Sequence, residues 1–346
     1  MTKQAPDVKP DATSGAGMRF SVLASVKDEG PFLVEWICWY RRLGFDEIVL
    51  VSNDCTDHSP ALLDALEAKG WITHLRHDVP DGQNICAKKL EAAKRLPQIS
   101  EADWVLVCDV DEFLTIHTDE GKIRDLIPPD AGFLAMALNW RVFGTSGRKS
   151  WEDGLVHRQF TKAALTEDET SSWIKMIHAK PNWFRKLAEH GPKGLGPRHQ
   201  ANWGKGRLRV VNADGQEIPD WDPSGPYIRR LPAEDVTHLS AQMNHYMIRT
   251  EESFDLKRGT LSAVAGKNRY TDSFLTRYNR NEREDLSALR HQASFDQIHQ
   301  EAMSNPEILR LHHLCCADYV TRMALKKGRD PQEDPRLSHH LHHARP

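Results

Sequence analysis

The chain has 346 residues, 39% hydrophobic and 27% charged, with a formal net charge of −3. That balance belongs to a soluble globular protein long enough for one large domain or two ordinary ones. It gives no general attraction to nucleic acid or an anionic membrane, and no run approaches the ~18 consecutive apolar residues a membrane-crossing helix needs.

Residues 1–17 are polar, rich in Pro, Asp and Gly, and lack the apolar core of a signal peptide, so they read as a disordered tail. From Phe20 the chain alternates short apolar strands with amphipathic helices, the pattern of a parallel α/β sheet. Phe20 to Val26 is the first strand, ending at Lys27-Asp28-Glu29. Pro31 opens a helix whose apolar face carries Leu33, Trp36, Ile37, Tyr40 and Leu43 at helical spacing. Glu47 to Val51 is the second strand, followed by Ser52-Asn53-Asp54-Cys55-Thr56-Asp57 and a helix with Ser59 as its expected cap and Gly70 at its close. Trp71 to Arg76 is the third strand, Asn84 to Leu96 a helix, Trp104 onward the fourth strand, and Gly132 to Trp140 a fifth. Six cysteines, Cys38, Cys55, Cys86, Cys108, Cys315 and Cys316, show no C-x-x-C spacing and read as reduced thiols. A cytoplasmic location follows as an expectation, with peripheral membrane contact left open.

The sharpest feature is Trp104-Val105-Leu106-Val107-Cys108-Asp109-Val110-Asp111-Glu112, an apolar strand running into three carboxylates. Side chains alternate along a strand, so Asp109 and Asp111 project to one side and Glu112 to the other. Paired carboxylates raise each other's pKa unless a cation neutralises them, and oxygen ligands suit Mg²⁺ or Mn²⁺. Relief of that repulsion is expected to raise the melting temperature of a metal-free Asp111→Asn variant. In open α/β sheets ligands bind outside the carboxyl ends of the strands. Lys27, Glu29, Asn53, Asp54, Asp57, Asp78, Asp109 and Asp111 are therefore expected in one crevice, although Asp57 and Asp78 serve equally well as turn or cap residues. No G-x-G-x-x-G follows the first strand and no G-x-x-x-x-G-K-[ST] is present, which argues against a dinucleotide oxidoreductase and a P-loop NTPase. Lys88 is a candidate phosphate partner or an ordinary solvated helix lysine.

Ser25-Val26-Lys27-Asp28-Glu29, Glu35-Trp36 with Tyr40, Ser52 to Asp57, and Asp109 to Leu114 together resemble the family 2-type glycosyltransferases of the GT-A fold, most nearly the bacterial subgroup related to galactan-synthase type enzymes. The resemblance covers roughly residues 18 to 265 in order. It implies a GT-A type, mostly parallel, Rossmann-like sheet with helices on both faces. It implies a nucleotide-sugar donor against Lys27–Glu29 and Asn53–Asp54, and a metal joining its diphosphate to Asp109 and Asp111. Asp28 stands where many relatives have Asn. Nucleotide-binding residues 18–140 and acceptor residues 141–265 would form the transferase domain, with 266–346 a helical extension.

Trp151, Trp173, Trp183 and Trp203 lie in a loop-rich stretch, where one or two are expected at an acceptor groove and the others in the core. Lys175, in Trp173-Ile174-Lys175-Met176-Ile177, is either a phosphate partner or a surface residue. Met243-Asn244-His245-Tyr246 matches the family's Asn-His-Tyr, which makes His245 a candidate third metal ligand. Lys257 or Arg258 could close over a diphosphate. Glu234 and Asp235, or Glu167, Asp168 and Glu169, are the candidate catalytic bases. His339, His340, His342 and His343 are able to bind stray metal but read first as a frayed tail.

The leading expectation is a metal-dependent hexosyltransferase moving a sugar from a nucleotide-sugar, UDP-linked, to a glycan or other hydroxyl acceptor, as in polysaccharide biosynthesis. One alternative is a non-catalytic nucleotide-sugar or glycan-binding protein. Another is a haloacid-dehalogenase-like phosphatase, disfavoured because Phe113 stands where that chemistry needs a small hydroxyl residue.

Overall fold

The computed structural model describes residues 17–80, 82–200, 209–218, 221, 228–260 and 268–345. Residues 1–16 of the expected tail, Trp203 and the expected boundary at 265 lie outside the described residues. The strands of the main sheet are β1 (Phe20–Val26), β2 (Glu47–Ser52), β3 (Thr73–Arg76), β4 (Trp104–Val107), β5 (Glu112–Ile116), β6 (Ala135–Val142), β7 (Ile174–Ala179), β8 (Val210–Asn212) and β9 (Ala241–His245). They run in the order β3-β2-β1-β4-β7-β6-β9-β5, with β8 beside the start of β6. Most pairings are parallel; β7 is antiparallel to β4 and β6, and β5 to β9. The first strand begins and ends as its apolar run predicts, and the bounds of β2, β3 and β6 differ from their apolar runs by up to about three residues. Strand β5 is a separate element where the sequence suggests one continuing run: Asp109 and Asp111, residues that also favour turns, break the strand at the acidic cluster.

Alternation along the strands decides which layer each side chain enters. Phe20, Val22, Ala24 and Val26 join the principal core, while Leu23, with Val49, Val51, Val105 and Val107, packs under a helix on the opposite face. The main helices are α1 (Gly30–Leu43), α2 (Ser59–Ala68), α3 (Ile85–Ala93), α4 (Glu251–Lys257), α5 (Gln292–Met303), α6 (Pro306–Lys326) and α7 (Pro335–His343). Helix α1 starts on Pro31, ends at Gly44 in the left-handed region (φ 84°), and is buried almost throughout. The sheet covers one side of it and α5 and α6 the other. Gly30 is required there, because a Cβ would run into the Cβ and Sγ of Cys315 on α6. Ser59 is the first residue of α2 rather than its cap; the Asp57 carboxylate accepts its N–H at 3.0 Å and does the capping.

Only residues 108–111 join β4 to β5, although three strands separate them in the sheet. A linker that short spans at most ~18 Å, so the sheet curls to bring β5 round to β4. The carboxyl ends of β1, β2, β4, β6 and β9, and the starts of β5 and β7, therefore share one edge. The last helix, α7, packs along α6 and buries Leu337 and His340, so the histidine-rich end is ordered structure and not a frayed tail.

Candidate functional site

The acidic turn is held from below by α1. The Trp36 indole N–H donates to the carbonyls of Asp109 (3.1 Å) and Glu112 (3.0 Å), the Tyr40 hydroxyl donates to the Glu112 carbonyl (3.1 Å), and Trp39 donates to that of Leu114 (2.8 Å). The Tyr246 N–H donates to the Asp111 carbonyl at 2.8 Å, fixing the turn from the end of β9.

Three carboxylates, two lysines and a histidine meet above it. Lys175 Nζ, on a side chain only 1% exposed, lies 3.0 Å from both Asp109 Oδ2 and Glu112 Oε2. His245 Nε2 is 3.4 Å from Asp111 Oδ1, its Nδ1 is 3.7 Å from Glu112 Oε1, and Lys257 Nζ is 3.6 Å from Asp111 Oδ2. Arg258 turns away to Asp255 and Asp272. Glu112 thus joins the two aspartates instead of facing away. The strand ends at Val107, and the turn that follows erases the alternation on which that expectation rested. Glu112 Oε2 also accepts the Asp109 N–H at 2.8 Å.

The electrostatics follow from this packing. Burial would raise the Asp109 carboxyl, but Lys175 outweighs it and holds the group below its ordinary value. Burial is likewise overcome at Asp111, where His245 and then Lys257 hold the carboxyl well down. Glu112, fully enclosed, is pushed up to about 7 by burial despite Lys175. Asp111 still pushes the Asp109 carboxyl up, but Lys175 outweighs it, so the protein itself supplies a neutralising cation.

The crevice beside this cluster holds polar groups with no partner among the described residues. Asn53 is 3% exposed, yet neither its amide nitrogen nor its oxygen is hydrogen-bonded, and the Ser25 hydroxyl is unpaired too. Glu29 Oε2 accepts from Arg249 Nη1 at 2.9 Å, while Arg249 Nε and Nη2 are buried without a partner. Asp28, Asp54 and Arg249, which border the crevice, have left-handed backbones at φ 55°, 47° and 59°. Strain of that kind gathers where a chain is held for a purpose. Lys27 and Asp54 are exposed at their strand ends, and Asp78 is exposed beyond β3. Lys88 pairs with Glu91 at 3.0 Å, whereas Lys89, 4% exposed, is pushed below the usual lysine value by burial and lies within electrostatic reach of Asp109.

Among the tryptophans, Trp140 and Trp173 stack with ring centroids 5.4 Å apart, and Trp140 sits 4.3 Å from His245. Neither indole N–H has a hydrogen-bond partner among the described residues. Trp151 is a core anchor against Tyr319, and Trp183 stacks on His199. Glu234 is exposed and Asp235 partly buried in the short turn Ala233–Asp235 that precedes β9. Asp168 is a cap, accepting from Thr170 N at 2.8 Å, and Glu169 pairs with Arg277 at 3.0 Å. Sequence reasoning leaves Lys175 undecided and does not single out Arg249 or Lys89. The signal for Lys175 is available, since a lysine amid buried apolar strand residues needs an acidic partner.

Neither a family model nor a curated protein matches the chain. Among solved structures, the 1–349 fragment of S. aureus TarS aligns over 94% of this chain and 90% of its own, at 12% identity and a TM-score of 0.32. The same fragment in complex with UDP-GlcNAc gives 11% identity and 0.32 over 94% and 91%. Glucosyl-3-phosphoglycerate synthase from Mycobacterium tuberculosis, in complex with Mn²⁺, UDP and phosphoglyceric acid, covers 65% of this chain and 75% of its own at 14% identity and 0.31. Likeness at that level assigns neither family nor activity.

Proposed function

We propose that the chain is a divalent-metal-dependent glycosyltransferase of GT-A type that uses a UDP-sugar donor and a glycan or other hydroxyl acceptor. One observation carries this reading: residues more than a hundred positions apart, Asp111 and His245, meet at 3.4 Å on the strand edge where ligands of such sheets bind. Two ligands of one ion take a separation of this size; the carboxylates suit Mn²⁺ or Mg²⁺, and the imidazole nitrogen favours Mn²⁺ of the two. Asp109, Asp111 and His245 would hold the ion. Bound there, it would supply Lewis-acid stabilisation of charge on the departing nucleoside diphosphate.

The chain's own residues account for the remainder. Asn53 and the Ser25 hydroxyl offer unpaired hydrogen-bonding groups to the nucleoside, beside Lys27, Glu29 and Asp54. Arg249, Lys257 and Lys89 place positive charge near the diphosphate, with Lys88 further out on α3. Trp140 and Trp173 offer a ring face and two free N–H donors to a sugar acceptor. An acceptor hydroxyl attacks the sugar C1, the bond from C1 to the diphosphate oxygen breaks, and a carboxylate takes the hydroxyl proton. Glu234 and Asp235 are the proposed bases, requiring approach of their turn to the acceptor.

The test is thermal stability with UDP, with and without Mn²⁺, followed by turnover of a UDP-sugar panel. Stabilisation should require both ligands and should vanish in Asp111→Asn. Equal stabilisation by UDP without metal, or transfer by purified Asp111→Asn protein, would overturn the reading.

A further inference from the structure

A second group of ligating side chains lies on the far side of α1 from the acidic turn. One ligand atom each from Asp153, His313 and His340 lie within 4.8 Å of one another. Asp153 belongs to the loop after β6, His313 to α6 and His340 to α7, so three separate segments converge. His340 is 2% exposed and His313 partly buried. Their Nδ1 atoms face each other at 3.0 Å. Two imidazole nitrogens in that position either share a single proton or both turn lone pairs toward a cation. A cavity of about 330 Å³ lined by Trp151, Asp153, Arg336 and His340 opens beside them, with room for a water ligand.

We propose that Asp153, His313 and His340 form a three-ligand site for a borderline divalent cation of the zinc class, separate from the carboxylate cluster. Two imidazoles, one carboxylate and an open fourth position are the ligands such an ion takes, whereas Mg²⁺ prefers oxygen throughout. His312 and Cys316 lie on the other side of Asp153, with His312 Nε2 3.3 Å from Asp153 Oδ2 and 3.6 Å from Cys316 Sγ. That arm offers a thiol in place of the second imidazole, so a sulfur ligand would mark an ion bound there instead. A bound ion would tie α7 and the loop carrying Asp153 to α6.

The experiment is calorimetric titration of the metal-stripped full chain with Zn²⁺ alone, paired with Co²⁺ absorption. One Zn²⁺ should bind in Asp111→Asn, where the carboxylate cluster has lost a ligand, and the wild type should take at least that one. Binding should weaken roughly tenfold or more in Asp153→Asn and in His340→Ala. Asp153 is exposed, so Asp153→Asn keeps the test valid if His340→Ala fails to fold. The Co²⁺ complex should show ligand-field bands without a sulfur charge-transfer band. Undiminished binding in Asp153→Asn, loss of binding in Asp111→Asn, or a thiolate band from Cys316 would each overturn the assignment.

Discussion

Lys175 shows how a single buried charge is made tolerable. Its ammonium is enclosed, and it survives there because Asp109 and Glu112 each sit 3.0 Å away. Removing it strands Glu112 without its main counter-charge, and loss of one partner from such an arrangement is strongly destabilising. Lys175→Met should lower unfolding free energy by about 3 kcal/mol in urea titrations; an unchanged midpoint would show that the ammonium does not hold the turn. Asp111 answers to different neighbours. Because His245 and Lys257 already balance it, Asp111→Asn should lower the apo melting temperature slightly, at a cost of about 1 kcal/mol, where bare repulsion between aspartates predicts a rise. Calorimetry on the metal-free variant separates the two signs. His245→Ala should abolish the Mn²⁺-dependent part of UDP binding and leave binding of uridine alone almost unaltered; equal losses in both would make His245 merely structural.

Among the elements, α1 does the most to shape the site. Its inner face carries Trp36, Trp39 and Tyr40, and their polar atoms hold backbone carbonyls of the acidic turn and of β5. The Tyr40 hydroxyl is the most economical of these contacts, donating to the Glu112 carbonyl and accepting the Leu114 N–H at 3.3 Å. Tyr40→Phe takes the hydroxyl acceptor from the Leu114 N–H and leaves the Glu112 carbonyl with the Trp36 indole alone, which should cost about 1 kcal/mol in denaturant titration. UDP affinity in the presence of Mn²⁺ should fall with it, since the turn that presents Asp109 and Asp111 is less firmly fixed. Stability loss with unaltered affinity would mean that the segment after β9 positions the turn by itself. The opposite end of α1 meets α6 at Gly30, so the same helix ties the site to the C-terminal layer.

Across the whole molecule, the C-terminal helices are part of the core. Tyr319 of α6 packs on both Phe32 and Trp151, and Phe295 of α5 packs on Trp39. Glu252 at the start of α4 receives Lys327 at 2.6 Å and Arg336 at 2.8 Å, joining three distant segments. Its carboxyl resists protonation: burial would raise it, yet the bonds from Arg336 and Lys327 bring it to about 2. A depressed carboxyl contributes stability that is complete above its unfolded value near 4.5 and disappears as pH falls toward 2. Since Lys327 and Arg336 are partly solvated, the contribution is on the order of 2 kcal/mol. Wild-type stability, followed by denaturant titration, should therefore drop faster than that of Glu252→Gln as the pH falls through that window. Parallel curves would remove Glu252 from the acid response.

The sequence by itself determined the succession of strands and helices through the first half, because apolar runs, proline starts and glycine stops act within a few residues. It also marked Asp109, Asp111 and His245, since clustered carboxylates after an apolar strand are conspicuous, and a short Asn-His-Tyr carries a family resemblance. The tertiary structure decided the rest. Whether Glu112 faces toward or away from its neighbours depends on where β4 stops, which no alternation pattern contains. That Lys175 reaches the carboxylates depends on β7 lying antiparallel beside β4, and that Arg249 pairs with Glu29 depends on β9 ending on the same edge. The histidines of α7 look like a loose polar tail in sequence. They are ordered because α6 offers a face to pack on and Asp153 arrives from a loop far away in the chain. Charge pairing between distant segments is set by how the sheet curls, and that is a property of the assembled core, not of any local stretch.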